Sequence, residues 1–360
     1  MWPYVLLVVL PILIQHFNIQ NGTLKIVGWK QKSKIALIVF FIILFLLLVL
    51  RNEKIGIDLM NYKAIFRSIG VKSWPAALTR SFEYANNFLL KAVASISSDF
   101  RWIIVISAVL SIVFLAYGYV RHSPDAALTI VLFINMSNFV VMFSALKQSI
   151  AVSFGFLAFE FVRRKKPVFF ILVVVIAVLF HSSAFMILFM YPLYHLRVTR
   201  KWLVFVIPAL VLLFVFNQPV FLLLGTVLSS FTKYETSITL TGSYTMLAVI
   251  VILAVFSFLI PDEKKLDKDT IGMRNFLLLA VVLQMFAPLH TVAMRMNYYY
   301  IIFIPLVIPR IIESRSVRWN QIAVISRYAF ILLFGVYFFM VVYQKNDLMT
   351  FPYRFFWETA

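Results

Sequence analysis

The sequence predicts an all-helical protein that crosses a membrane many times, and three observations lead to that fold class. Hydrophobic residues make up 63% of the 360 residues and charged residues only 13%, whereas a soluble domain is roughly half apolar and a quarter charged. The apolar residues are gathered into runs that approach the roughly 20 residues of a membrane-spanning helix. Most basic residues lie in the short connections between those runs, as in multi-pass membrane proteins.

Twelve apolar runs are predicted as spans within a single integral membrane domain, residues 1–360. The runs at 168–181 and 184–196 fall short of a full crossing and are expected to be tilted or re-entrant. No basic residue precedes the first run, so it is predicted to be a retained span, not a cleaved signal. The runs lie at about 3–16, 35–50, 102–120, 126–143, 147–162, 168–181, 184–196, 202–216, 243–260, 275–290, 297–312 and 322–343.

The basic residues also predict the orientation of the chain. Of the 33 Lys and Arg residues, 20 lie in one alternating set of connections and 13 in the other, and 8 of those 13 belong to the long segment 51–101. Long segments say little about orientation, so the first set is predicted to be cytoplasmic and both termini outside. The same rule explains the net charge of +19, which in a soluble protein would point to nucleic acid.

The segment 51–101 is the one sizeable region that is not predicted to span. It is expected to form amphipathic helices at the outer face, with Tyr62, Phe66 and Trp74 in the headgroup layer. Asp58, Tyr62 and Phe66 are spaced to share one helical face. Gly56 permits a turn before that helix, and a capping role is one explanation for Asp58.

Ionisable residues near the outer ends of spans are candidates for function, because charges are costly there. His181 is either a wetted helix end before a capping Ser183, or a side chain that faces a phosphate or a sugar. Lys147 and Gln148 open a span, where a lysine either extends to the surface or joins the helix N-terminus in binding an anion. Glu83 is either an interfacial charge or a base.

Arg295 follows one nearly apolar run and enters another, close to Tyr299. Arginine can bind phosphate in a bidentate manner, which favours a binding role for Arg295. The sequence lacks cysteine, a phosphate-binding glycine loop and an HExxH motif, so neither a metal site nor a cofactor is predicted.

These residues resemble, in order and spacing, the EpsG family of polytopic membrane proteins, relatives of the Wzy-type polymerases of O-antigen and capsule. The landmarks extend over essentially the whole chain and are Arg51, Gly56-x-Asp58-x3-Tyr62-x3-Phe66, Glu83, Lys147-Gln148, His181-Ser182-Ser183-Ala184, Arg295-x3-Tyr299 and Phe351-Pro352-Tyr353-Arg354. One landmark departs from the family, which usually has Arg-Gln at 147–148. Lysine keeps the positive charge at position 147 but cannot form the bidentate hydrogen bonds of arginine.

The resemblance implies a GT-C-like glycosyltransferase in a bacterial cytoplasmic membrane. Its implied reaction joins undecaprenyl-diphosphate-linked oligosaccharide repeat units into exopolysaccharide, capsule or O-antigen at the outer face. The implied partners are those lipid-linked oligosaccharides and membrane lipid, with a chain-length regulator as a further candidate and no nucleic acid.

Within that interpretation the candidate catalytic residues are His181, Asp58 and Glu83. The candidates for binding diphosphate or substrate are Arg51, Lys147, Gln148, Arg295, Tyr62, Tyr299 and Arg354. Two alternatives remain, a flippase of lipid-linked sugars and an acyltransferase with His181 as base. The predicted inner half of the membrane is nearly bare apart from Glu160, which favours an enzyme over a flippase.

Overall fold

The computed structural model describes residues 2–20, 23–26, 32–136, 138–227, 241–314 and 320–358. These residues are helical apart from one short hairpin and the connections, and helix covers most of each of the twelve apolar runs. The all-helical class is therefore confirmed. The chain forms two compact units, one made of residues 1–188 with 324–360 and the other of residues 189–323.

The first unit contains the helices that carry Glu83, Lys147 and His181. In chain order its elements are α1 (Trp2–His16), β1 (Phe17–Gln20), β2 (Thr23–Ile26), α2 (Ser33–Leu50), α3 (Leu59–Gly70), α4 (Trp74–Leu78), α5 (Tyr84–Ile96), α6 (Arg101–His122), α7 (Ala126–Asn135), α8 (Asn138–Ser144), α9 (Leu146–Arg163), α10 (Pro167–Phe180) and a 3₁₀ helix (Ser182–Phe189). The two strands are antiparallel, and Phe17 pairs with Ile26.

The second unit and the return of the chain to the first unit supply the remaining elements. They are α11 (Met190–His195), a 3₁₀ turn (Arg200–Trp202), α12 (Leu203–Val215), α13 (Asn217–Val227), α14 (Thr241–Leu259), a 3₁₀ turn (Glu263–Lys265), α15 (Lys268–Phe286), α16 (Thr291–Ile301), α17 (Ile304–Glu313), α18 (Asn320–Tyr337) and a π-helical turn (Phe338–Tyr343). Helix α18 begins in the second unit and ends in the first.

By length and composition, the described residues include four to seven candidate membrane spans. Four single helices qualify, namely Ser33–Leu50, Arg101–His122, Lys268–Phe286 and Gln321–Tyr343. Three bent pairs raise the total to seven if each pair is one span, namely Ala126–Asn135 with Asn138–Ser144, Ser182–His195 with Arg200–Val215, and Thr291–Ile301 with Ile304–Glu313. The predicted total of twelve is not confirmed, because α1 and α10 are apolar but too short to cross roughly 30 Å alone.

The segment 51–101 folds into the three helices α3, α4 and α5. Phe66, Ile69 and Leu90 form an apolar cluster with Ile103 and Ile104 of α6, so one face of the segment is buried against the helix that follows it. At 13 residues, α5 is too short to span. The segment is thus helical as predicted, and its position at the outer membrane face stays a prediction.

Helices α6, α9 and α10 give the first unit two recognisable ends. Gly118 of α6 allows a close approach, because a β-carbon there would lie 2.1 Å from the ring of Phe156 on α9. His122 and Glu160 meet at one end of this helix pair. Lys147, the second residue of α9, and its partner Glu83 lie at the other end. We call these the Glu160 end and the Glu83 end of the first unit.

The C-terminal tail returns to the Glu83 end. The Phe356 N–H donates to the carbonyl of Leu50 at 2.9 Å, and the Asn52 N–H donates to the carbonyl of Arg354 at 2.8 Å. The ring of Trp2 lies 5.8 Å from that of Phe355. The described start and end of the chain therefore meet at one end of the unit.

Candidate functional site

The structure brings three of the predicted site residues into direct contact at the Glu83 end. The Nδ1 atom of His181 lies 2.8 Å from Oε1 of Glu83. The Nζ atom of Lys147 forms a salt bridge with Oε2 of the same carboxylate. Lys147 and His181 are 64 and 98 positions away from Glu83 in the sequence, so only the fold brings the three together.

Three helix ends carry these side chains. Glu83 immediately precedes α5, and its side chain does not cap that helix. Lys147 is the second residue of α9. His181 follows the last residue of α10 in an extended conformation, with φ of −150° and ψ of 121°, so its ring leaves the helix axis. Because the side chains belong to three elements, their contact fixes how α5, α9 and α10 meet.

The electrostatics of Glu83 follow from these two contacts. Burial alone would raise the pKa of Glu83, but the hydrogen bond from His181 and the positive charge of Lys147 outweigh it and lower the pKa to about 2. The carboxylate is therefore ionised at neutral pH and can only accept hydrogen bonds. The His181 proton consequently sits on Nδ1, and a neutral imidazole then carries its lone pair on Nε2.

Burial distinguishes between the alternative interpretations of these residues. His181 is 8% exposed and is not a wetted helix end. The Glu83 side chain is 11% exposed and lies between two partners, unlike a solvated interfacial charge. Lys147 binds a carboxylate and is 29% exposed, so its ammonium does not simply extend to the surface.

Next to these three residues, segment 51–58 contacts the junction between α8 and α9. Gly56 has a φ of +104°, and a β-carbon there would lie 2.0 Å from the carbonyl oxygen of Phe143. Only glycine combines that backbone conformation with that approach. The junction also includes Lys147, so the same short stretch of chain supports the landmark glycine and the Glu83 contact.

Asp58 occupies the position before α3, but its side chain does not cap the helix, so the capping explanation does not hold. The structure shows no cap hydrogen bond from its side chain. Its Oδ2 atom accepts a hydrogen bond from Oγ of Ser144 at 2.9 Å, and its N–H donates to the same hydroxyl at 3.3 Å. The carboxylate therefore ties α3 to the end of α8.

Ser144 belongs to this group and was not predicted from the sequence. It is 1% exposed and lies three positions before Lys147. The available signal was a serine at the end of an apolar run, next to a landmark lysine. That signal is weak, because serine is common at helix ends for local hydrogen-bonding reasons that are unrelated to function.

Arg51 lies near this junction, and its guanidinium is bound to backbone carbonyls. Its Nη1 atom donates to the carbonyl of Phe143 at 2.7 Å and more weakly to that of Met142 at 3.4 Å. These carbonyls belong to the last turn of α8, where helical partners are missing. Arg51 is 1% exposed, so it stabilises the end of α8 in this structure.

The other candidates in the first unit have different surroundings. Tyr62 packs beside the apolar cluster of α3 and α5. Gln148 is 3% exposed within α9. Arg354 is exposed, and its carbonyl holds the tail to Asn52.

Arg295 and Tyr299 lie on α16 in the second unit. Arg295 is exposed, whereas Tyr299 is fully buried. His290 begins this helix, and its Nδ1 atom accepts a hydrogen bond from the N–H of Val292 at 3.0 Å. Burial and the positive charge of Arg295 lower the pKa of His290, which favours the neutral ring that this cap requires.

No metal site was predicted, and that expectation remains a prediction. Among the residues that the structure describes, no three His, Asp or Glu side chains are grouped so that they could hold a metal ion. The chemistry that the Glu83 group offers is that of an oriented imidazole beside a fixed carboxylate and an ammonium.

Comparison with known proteins supplies the family. No curated protein and no solved structure matches the chain. The model of the EpsG family matches residues 34–355, a range that includes the Glu83, Lys147 and His181 contacts as well as Gly56 and Asp58. The chain therefore belongs to the EpsG family, and this membership indicates a membrane protein of polysaccharide biosynthesis.

Proposed function

We propose that this chain is a GT-C-like membrane glycosyltransferase that joins undecaprenyl-diphosphate-linked oligosaccharide repeat units into a polysaccharide. The reaction is assigned to the outer face of a bacterial cytoplasmic membrane, with both chain termini on that side. The observation that carries the proposal is the contact of His181 and Lys147 with the two oxygens of Glu83. The EpsG family membership supports the wider class of activity.

His181 is the proposed base. A hydroxyl of the acceptor sugar gives its proton to Nε2, and its oxygen forms the new bond to the anomeric carbon of the donor glycan. The bond from that carbon to the diphosphate breaks, and its electron pair leaves with the diphosphate. A positioned base of this kind typically contributes a factor of roughly 10² to 10⁴ in rate.

Glu83 and Lys147 act on that base through position and charge. The Glu83 carboxylate accepts the Nδ1–H of His181 at 2.8 Å, which orients the ring and stabilises the positive charge that it gains. The ammonium of Lys147 holds the other oxygen of the carboxylate. This role requires a cation and does not require a guanidinium, so it accommodates the lysine at a position where the family usually has arginine.

Exposed cations are the proposed contacts of the leaving diphosphate. Arg354 is exposed in the tail that returns to the Glu83 end. Arg295 is exposed on α16 of the second unit and stays a candidate for substrate binding there. Arg51 would have to leave the carbonyls of α8, so we assign it to support of the site. Stabilisation of developing negative charge by such cations is usually a large catalytic effect.

An apolar cavity in the first unit suits a segment of the polyprenyl chain. The cavity has a volume of about 290 Å³ and lies between α1, α7, α8 and the end of α18. Tyr4 lines it and donates a hydrogen bond to the carbonyl of Thr350 in the tail at 2.6 Å. The cavity therefore begins near the Glu83 end, where the diphosphate is expected.

A flippase for the same lipid-linked sugars is the second candidate, because polar side chains are also buried toward the opposite end of the first unit. Arg327 forms a salt bridge with Asp125, and Gln15 donates to Asp125 at 2.9 Å. Glu160 is therefore not the only polar side chain buried toward that end. A flippase needs polar groups along its whole path, so these residues keep this alternative open.

Substitution at the proposed base tests the function. In a deletion strain, we expect His181→Ala to abolish long polysaccharide and to leave single lipid-linked repeat units, as seen by gel analysis of extracted glycans. Ser182→Ala is the matched control, because Ser182 is the exposed neighbour in sequence. Normal long chains from a stably expressed His181→Ala protein would overturn the proposal.

A further inference from the structure

A second charged cluster lies at the Glu160 end, away from the proposed reaction. The carboxylate of Glu160 is 3.2 Å from Nη1 of Arg163 and 3.6 Å from Nη2 of Arg164. It also lies 3.9 Å from Nε of Arg121 on α6 and accepts a hydrogen bond from His122. Glu160 is 4% exposed, so one buried carboxylate holds three arginines together.

The charges of this cluster do not balance. Lys165 and Lys166 follow the two arginines of α9 directly, which gives five basic side chains against one carboxylate. The side chains of Arg121 and Arg164 are 47% and 50% exposed. Glu160 thus positions arginines that are partly exposed, and their positive charge exceeds the single negative charge of the carboxylate.

The depth of the cluster indicates what could neutralise it. Arg121 lies in the last turn of the candidate span Arg101–His122, so its guanidinium is at the level where a spanning helix leaves the hydrocarbon. Its Nη1 atom donates to the hydroxyl of Tyr117 at 2.7 Å. Basic side chains at this depth meet lipid headgroups.

Simple capping of α9 explains part of the cluster. Arg163 and Arg164 are three and four residues after Glu160, where helical ion pairs are common and where positive charge favours a helix C-terminus. Capping does not require Arg121, which comes from another helix and approaches the same carboxylate. It also leaves the excess of positive charge unexplained.

We propose that the cluster of Arg121, Arg163 and Arg164 around Glu160 binds the phosphodiester of an anionic membrane lipid. Arginine fits phosphate oxygens with paired donors, and the adjacent ends of α6 and α9 place apolar helix surface beside the headgroup. The lipid would bridge α6 and α9 at the end opposite to Glu83. Thirteen residues of α9, or about 20 Å, separate Glu160 from Lys147.

Native mass spectrometry of the purified full chain in detergent tests this site by titration with phosphatidylglycerol. Since each basic side chain near a membrane surface contributes on the order of 1 kcal/mol, Arg163→Gln with Arg164→Gln should weaken binding roughly 30-fold. Arg121→Gln, which removes one charge instead of two, should weaken it roughly fivefold. Phosphatidylcholine, which has no net charge, should bind no better to the wild type than to these variants.

Two controls separate this site from general charge effects. Lys264→Gln with Lys265→Gln removes two exposed charges elsewhere and should leave phosphatidylglycerol binding unchanged. Inorganic phosphate should displace the lipid only weakly, because it has no acyl chains to pack on the helices. Equal lipid binding by the wild type and the Arg163/Arg164 variant, equal loss in the Lys264/Lys265 variant, or displacement by phosphate as effective as by free phosphatidylglycerol would overturn the proposal.

Discussion

At the residue scale, one carboxylate contacts both an imidazole and an ammonium, so the ionisation of Glu83 controls two interactions at once. Replacing Glu83 with Gln leaves a partly buried Lys147 without its counter-charge and weakens the acceptor for His181. Loss of a buried partner of this kind typically costs about 1–3 kcal/mol in the free energy of unfolding.

The lowered pKa of Glu83 predicts how that stabilisation depends on pH. In the folded chain the pKa falls from its ordinary value of 4.5 to about 2. The contribution of Glu83 is therefore full above pH 4.5 and is lost as the pH falls toward 2. The difference in Tm between wild type and Glu83→Gln in detergent should shrink across that range. A difference that is the same at both ends of the range would contradict the assigned contacts.

Lys147 offers a second prediction at this scale. If its function is to hold the Glu83 carboxylate, Lys147→Arg should retain long polysaccharide, since arginine also forms this salt bridge. Lys147→Met keeps much of the volume and removes the charge, so it should shorten the polysaccharide on glycan gels. Equal polysaccharide lengths from the two variants would show that the charge of Lys147 is not needed for polymerisation.

At the scale of elements, the junction of α8 and α9 positions Lys147 through contacts with segment 51–58. Gly56 approaches the carbonyl of Phe143, Asp58 binds Ser144, and Lys147 is the second residue of the next helix. Movement of this junction would therefore displace Lys147 from Glu83.

Gly56→Ala tests that dependence. Its β-carbon would clash with the Phe143 carbonyl, and its φ of +104° is strained for alanine, so we expect a loss of about 1–3 kcal/mol in stability. Polysaccharide length should fall as well. Gly70→Ala is the matched control, because a β-carbon there would make only an ordinary contact, 3.5 Å from the β-carbon of Ala94. Equal melting temperatures for the two variants in detergent would count against this role of the junction.

The sequence predicted the helices of this region better than it predicted their contacts. Apolar runs are read directly from composition, so α2, α6 and α9 were foreseen within a few residues. The partner of Asp58 was not, because Ser144 is 86 positions away and only the fold brings the two together. The burial of Arg51 was missed for the same reason, since its acceptors are backbone carbonyls that carry no sequence signal.

At the scale of the whole molecule, the landmark residues of the first unit gather at one end. Glu83, Lys147 and His181 are in contact there, and the tail that carries Arg354 returns beside them. The EpsG match covers these positions from residue 34 to residue 355. An active site on one side of a membrane requires such an arrangement.

Cysteine labelling tests which side of the membrane this end faces. The chain has no natural cysteine, so single cysteines at the exposed positions Ser182 and Glu358 can be labelled selectively. Both should react with a membrane-impermeant maleimide on intact spheroplasts. A cysteine at Lys166, beside the Glu160 end, should react only after lysis. The reverse pattern would place the proposed reaction on the wrong side.

Reconstitution tests the polymerase assignment most directly. The purified chain is placed in vesicles with lipid-diphosphate-linked repeat units, and both glycan length and the transfer of units across the bilayer are followed. We predict that wild type makes longer glycans and releases lipid diphosphate, whereas His181→Ala does neither. Movement of intact units across the bilayer without elongation would contradict the polymerase assignment and establish a flippase instead.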